Sequence, residues 1–161
     1  MMSTNQLREE LKIDEGVKYE IYLDHLGYPT FGIGHLVRST DPESGCEVGT
    51  SVTEHRVNEA FDEDIKTVLE DCERLYPFSF FDLPEEVQLI IANMMFNMGY
   101  SRLSKFVSMH RAVEAKDWNT AADEMVDSRW YRQVPNRAKR LVERMRNVTT
   151  TTVLDVNGGW A

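Results

Sequence analysis

Glu15, Asp24 and Thr30 follow one another at intervals of nine and six residues. A carboxylic acid can protonate the oxygen that leaves when a glycosidic bond breaks. An ionised carboxylate with a hydroxyl nearby can orient the attacking water. Together the three residue types form the minimum set for that chemistry. Phe31-Gly32-Ile33-Gly34-His35 comes next. It lacks the third glycine and the βαβ setting of a dinucleotide fingerprint, but glycines in a strand let another segment approach closely. His35 reads either as a catalytic base or as a structural ring paired to a carboxylate, and the second reading is the commoner.

A second informative stretch is Ser128-Arg129-Trp130-Tyr131-Arg132-Gln133-Val134-Pro135-Asn136-Arg137. Aromatic faces stack on sugar rings, and Arg and Gln donate to hydroxyl and acetamido oxygens. Taken alone, Trp130 and Tyr131 read more readily as core anchors. A buried Arg137 demands a carboxylate partner, for which Glu15 is a candidate. His25, His55 and His110 show no ligand spacing, so neither a metal site nor a cofactor is expected.

These groups need elements to hold them. Ser3-x-x-Gln6 suits a helix start, Leu7 and Leu11 fall at helical spacing, and Gly16 stops the helix just beyond Glu15. Val17, Tyr19, Ile21 and Leu23 alternate as in a strand. Asp24 to Gly27 reads as a turn, and Pro29 to Gly34 as the returning strand of a hairpin. A third short strand near Glu47–Val48, or only loop, follows. Thr53 caps the clearest helix, in which Val57, Phe61, Ile65, Val68 and Cys72 recur at three- and four-residue steps up to Tyr76-Pro77. Beyond it the pattern is helical: an all-round apolar helix at Val87–Met98 ended by Gly99, then segments near 104–115, 118–127, 129–133 and 136–146. Residues 147–161 carry weak signals and read as a fraying tail.

The 161 residues fit one domain of two lobes, approximately 13–60 and 1–12 plus 75–161, joined by a helix over 53–75. No apolar run is long enough to span a bilayer, so stable membrane insertion is not expected. The first six residues lack the basic and apolar regions of a cleaved signal peptide. Cys46 and Cys72 form no metal motif, and reduced thiols are the expectation. The formal net charge of −9 argues against nucleic-acid binding. The charge is uneven: residues 1–80 hold seven Lys/Arg against seventeen Asp/Glu, and residues 81–161 eleven against ten. Seven of those eleven lie between Arg129 and Arg146, with Glu143 the only acid among them. This strip suggests an anionic ligand, ion pairs to the acidic half, or a solvated helix face.

Taken together, three blocks resemble the phage lysozymes of the T-even type, glycoside hydrolase family 24. They are Leu11–Leu36 with its Glu…Asp…Thr order, Ala92–Gly99, and Ser128–Arg140. The resemblance implies an α+β, mostly α, lysozyme-like fold: a small antiparallel sheet lobe, a long connecting helix and a C-terminal helical bundle. It implies a muramidase that cleaves peptidoglycan between N-acetylmuramic acid and N-acetylglucosamine with inversion. Glu15 would be the general acid, Asp24 the general base and Thr30 the holder of the water. His35 would pair with Asp64, and Arg137 would orient Glu15. Leu36, Phe96, Asn97, Arg129 and Trp130 would lie along the substrate, as would Met109 and Glu124, where the family usually carries Ser and Asn. Asn97 also replaces the family's Gln, Leu26 a Glu of its type member, and the loop from His35 to Thr53 is shorter. The implied setting is a monomeric endolysin made in the host cytoplasm, released by a holin-type membrane permeabiliser and acting on the wall in the periplasm. A catalytically degenerate wall-binding module and a lytic transglycosylase are the alternatives.

Overall fold

The computed structural model describes residues 2–148. The expected tail therefore lies, from residue 149, outside the described residues. The fold is α+β and mostly helical, with one three-stranded antiparallel sheet. The described residues divide into two compact units, Thr4–Glu70 and a second formed by residues 2–3 with residues 71–148. Helix α1 (Thr4–Glu15) thus lies whole in the N-terminal unit, where the sequence reading divides it at residue 12.

Local chemistry explains the N-terminal unit. Helix α1 buries Leu7 and Leu11, and ends where Gly16 adopts φ +74° and donates its N–H to the Lys12 carbonyl at 2.9 Å. Arg8 ties α1 to the next long helix through Asp62 at 2.7 Å and through the ring of Phe61. Strands β1 (Lys18–Leu23), β2 (Pro29–Gly32) and β3 (His35–Leu36) form the sheet in the order β1-β2-β3. The register pairs Tyr22 with Thr30 and Phe31 with His35. The third strand is therefore His35–Leu36, not the region near Glu47–Val48. Residues 49–52 still lie along β1, since Ile21 and Tyr19 exchange backbone hydrogen bonds with Gly49, Thr50 and Val52.

The alternation expected in β1 holds only at Ile21, which is buried, whereas Val17, Tyr19 and Leu23 are exposed. A register irregularity between Lys18 and Tyr22 breaks the period of two, and a sheet this small covers little apolar surface. Helix α2 (Glu54–Leu75) starts where Thr53 Oγ1 accepts the Arg56 N–H at 3.1 Å. It buries Val57, Ala60, Phe61, Ile65 and Val68 at helical spacing before its last turns enter the second unit.

The C-terminal unit is a helical bundle: a 3-10 turn (Phe80–Asp82), α3 (Glu85–Met98), α4 (Tyr100–Leu103), α5 (Val107–Glu114), α6 (Trp118–Val126), α7 (Arg129–Gln133) and α8 (Pro135–Arg146). Every residue of α3 from Val87 to Met95 is buried, as its all-round apolar pattern demands. Each fully enclosed Leu or Ile there contributes roughly 1.5–3 kcal/mol relative to exposure. The one long polar side chain in that run, Gln88, is satisfied: its amide donates to the carbonyls of Leu83 and Phe81, and its oxygen accepts from the Met2 backbone N–H. Side-chain caps from Asp117 and Ser128 start α6 and α7. Arg144 grips Glu86 with two hydrogen bonds, at 2.7 and 2.9 Å, and so fastens α8 to α3. The thiols of Cys46 and Cys72 are both free. No helix among the described residues is long and apolar enough to cross a membrane.

Candidate active site

Glu15 is the last residue of α1, and the chain must turn sharply after it, hence Gly16. Its half-buried carboxylate rests against the backbone at Gly34. A Cβ there would stand 2.6 Å from Glu15 Oε1, and Gly34 has φ +62°. Only glycine meets both demands. Gly34→Ala is expected to cost about 1–3 kcal/mol for the forced left-handed backbone. It should also displace the Glu15 carboxylate, so the loss of activity exceeds the loss of folded protein. Thermal unfolding and a hydrolysis assay on the same preparation would check this; unchanged specific activity would show that the close approach does not matter.

Asp24 opens the hairpin turn as expected. Its Oδ1 accepts the backbone N–H groups of Leu26 and Tyr28, each at 2.9 Å, while its own N–H donates to the Tyr28 carbonyl. The turn thus fixes the carboxylate and leaves Oδ2 outside these bonds. Thr30, on β2, is only 4% exposed, and its Oγ1 donates to that same Tyr28 carbonyl at 2.9 Å. One residue's backbone therefore anchors both side chains. The Thr30 hydroxyl proton is spent, so its oxygen faces any further partner as an acceptor.

Tyr22 joins these residues. It stands opposite Thr30 in the β1–β2 ladder, so the two side chains share a face. Burial, then the charges of Glu15 and Asp24, hold its phenol above the ordinary tyrosine pKa. The charges of Glu15 and Asp24 thus both reach the Tyr22 phenol. Sequence reasoning assigned Tyr22 no role, because its position opposite Thr30 depends on register.

His35 is 1% exposed and held on both sides. Its Nδ1 lies 2.7 Å from Asp64 Oδ2, and its Nε2 lies 2.8 Å from Asp41 Oδ2. The family resemblance implied Asp64 alone. Asp41 comes from the irregular loop, where no periodicity marks a partner. Arg38 binds Asp64 at 2.7 Å, while Arg56 reaches Asp41, Glu43 and Glu59. With both ring nitrogens committed to carboxylates, His35 is a structural cation rather than a base. Burial disfavours its charge, but the hydrogen bonds and charges of Asp64 and Asp41 prevail and raise its pKa above the ordinary 6.5. Leu36, on β3, is exposed.

In the C-terminal unit, Met109, Glu124 and Arg129 line one open cavity of about 330 Å³, together with Lys105, Phe106 and Asp127 among others. Met109 is nevertheless buried. Trp130 is also buried, and its indole N–H donates to Asn97 Oδ1 at 2.7 Å, which makes this pair an internal brace. Phe96 is half-buried on α3, and Arg137 donates from Nε to the buried Asn93 Oδ1 at 2.8 Å.

The sequence from residue 12 to residue 147 matches the model of the family described as phage lysozyme. The chain belongs to the phage lysozyme family. It is thus a lysozyme-type enzyme, and its relatives span several settings. It is 31% identical to Probable T4-type lysozyme 2 of Dictyostelium discoideum, over 86% of this chain and 92% of that protein. It is 28% identical to the Pre-baseplate central spike protein Gp5 of Enterobacteria phage T4, over 84% of this chain but 26% of that one. It is 32% identical to Peptidoglycan hydrolase gp36 of Pseudomonas phage phiKMV, over 86% of this chain and 15% of that one.

Proposed function

We propose that this member of the phage lysozyme family is a muramidase, hydrolysing the β-1,4 bond between N-acetylmuramic acid and N-acetylglucosamine in peptidoglycan with inversion. The observation that carries this reading is the shared anchoring of Asp24 and Thr30 on the backbone of Tyr28. A water between them would give one hydrogen to Asp24 Oδ2 and the other to Thr30 Oγ1, which leaves its lone pair for the anomeric carbon. As that carbon is attacked, Glu15 passes its proton to the departing sugar oxygen, and Asp24 takes the proton that the water loses. The attack comes opposite the leaving group, so the configuration inverts. Leu36, Phe96 and the cavity at Met109, Glu124 and Arg129 are proposed to lie along the substrate, with Asn97 and Trp130 bracing it.

Mass analysis of digested peptidoglycan tests the reading. Products ending in reducing N-acetylmuramic acid, with α configuration when first formed, are expected. Anhydro-sugar ends would instead identify a lytic transglycosylase, and glycan binding without new ends a degenerate wall-binding module. The proposed setting is an endolysin made in the host cytoplasm that reaches the wall through a holin-type permeabiliser. Gram-negative cells expressing the chain should then stay intact until their membrane is permeabilised, and lyse afterwards. Lysis before permeabilisation would contradict that route.

A further inference from the structure

The phenol of Tyr22 is not absorbed by the mechanism above. Among the described residues it makes no hydrogen bond, although it is half-buried beside two carboxylates. It is also held in place. Its strand register sets it across from Thr30, and Lys18 Nζ sits 4.4 Å from the centroid of its ring. A cation over the ring face restrains the ring from swinging away. Burial and the neighbouring anions disfavour phenolate, so the group stays an O–H donor.

We propose that Tyr22 is a positioning residue for the general acid: its hydroxyl, on the face of the hairpin that carries Thr30, donates to the Glu15 carboxylate as that group loses its proton to the sugar oxygen. The proton leaves the Glu15 carboxyl for the glycosidic oxygen, the C–O bond electrons go to that oxygen, and the negative charge left on Glu15 is met by the Tyr22 O–H. Tyr22 keeps its own proton throughout. The strength of this contact grows with the charge on Glu15, so it favours the transition state over the bound substrate. This inference rests on the assignment of Glu15 as the acid.

The test is Tyr22→Phe, which removes one oxygen and keeps the ring between Lys18 and Thr30. A hydrogen bond to a developing carboxylate predicts a loss in kcat of about tenfold to a hundredfold, with KM little changed. The alkaline limb of the pH–rate profile should move to higher pH, because the acid gives up its proton less readily. A purely structural tyrosine would leave both readouts unchanged in Tyr22→Phe and lose activity only in Tyr22→Leu, and that result would overturn the proposal. Glu15→Gln in the same assay separates the two levels. Wild-type activity in Glu15→Gln would remove the acid assignment and this role with it. An inactive Glu15→Gln beside an unaltered Tyr22→Phe would remove only the role of Tyr22.

Discussion

Glu15→Gln is expected to lower the rate of peptidoglycan hydrolysis by about a thousandfold, within the range that a general acid supplies. The substitution keeps the volume and planar shape that fit against the Gly34 backbone, so it should leave the fold intact. It removes the one proton that the leaving oxygen needs. Asp24→Asn should fall comparably, because an amide can still accept from the Leu26 and Tyr28 N–H groups but cannot take a proton from water. Thr30→Ser should retain most activity and Thr30→Val should not, since only the first keeps the hydroxyl anchored on Tyr28. Initial rates with solubilised glycan, alongside circular dichroism of each variant, would check the series. A Glu15→Gln protein that hydrolyses at the wild-type rate would disprove the assignment.

These residues could be read from the sequence because their placement is local. Gly16 ends α1 directly after Glu15, and Asp24 is fixed by amides two and four residues away. Thr30 is tied to the carbonyl two residues before it. Short-range turn chemistry of this kind leaves its mark in residue type. The same holds for the Thr53 cap and for α3, whose apolar residues fall all round the helix and so mark it as buried. What the sequence hid depends on closures between distant positions. Asp41 joins His35 because an irregular loop folds back, and nothing in residues 37–52 marks which acid will arrive. Of the alternating residues Val17, Tyr19, Ile21 and Leu23, Ile21 alone is buried because an irregularity shifts the register of β1. Tyr76 and His110, thirty-four positions apart, share a hydrogen bond inside the bundle, and His110 Nε2 donates to the Leu103 carbonyl at 2.7 Å. Helical spacing marks such positions only as inward-facing.

His35→Leu is expected to destabilise the N-terminal unit by about 3–5 kcal/mol, the usual cost of removing one partner from a buried ion pair. The loss is large because the imidazolium serves two carboxylates whose side chains are only 8% and 13% exposed, those of Asp41 and Asp64. Without it they face each other with Arg38 and Arg56 as the remaining cations. Asp41 also accepts the Arg38 N–H, so the start of the 37–52 loop loosens as well. The dependence on pH follows from the two shifts. His35 has a raised pKa, so its contribution is complete below about 6.5 and fades as pH rises through the raised value. Burial alone would raise the Asp41 pKa, but the Arg38 N–H, His35 and Arg56 together lower it below 3.8. Its contribution is therefore complete above that value and fades as pH falls through the lowered one. The clamp is thus strongest between these limits and weakens on the alkaline side first, as the ring loses its second proton and can donate to only one carboxylate. Urea unfolding from pH 5 to 9 should show the stability advantage of the wild type over His35→Leu shrinking above neutrality. Asp41→Asn should keep the Asp64 contact and lose part of the slope. Parallel curves for all three proteins would mean that the ring does not change charge within that range, and the two-sided clamp would have to be abandoned.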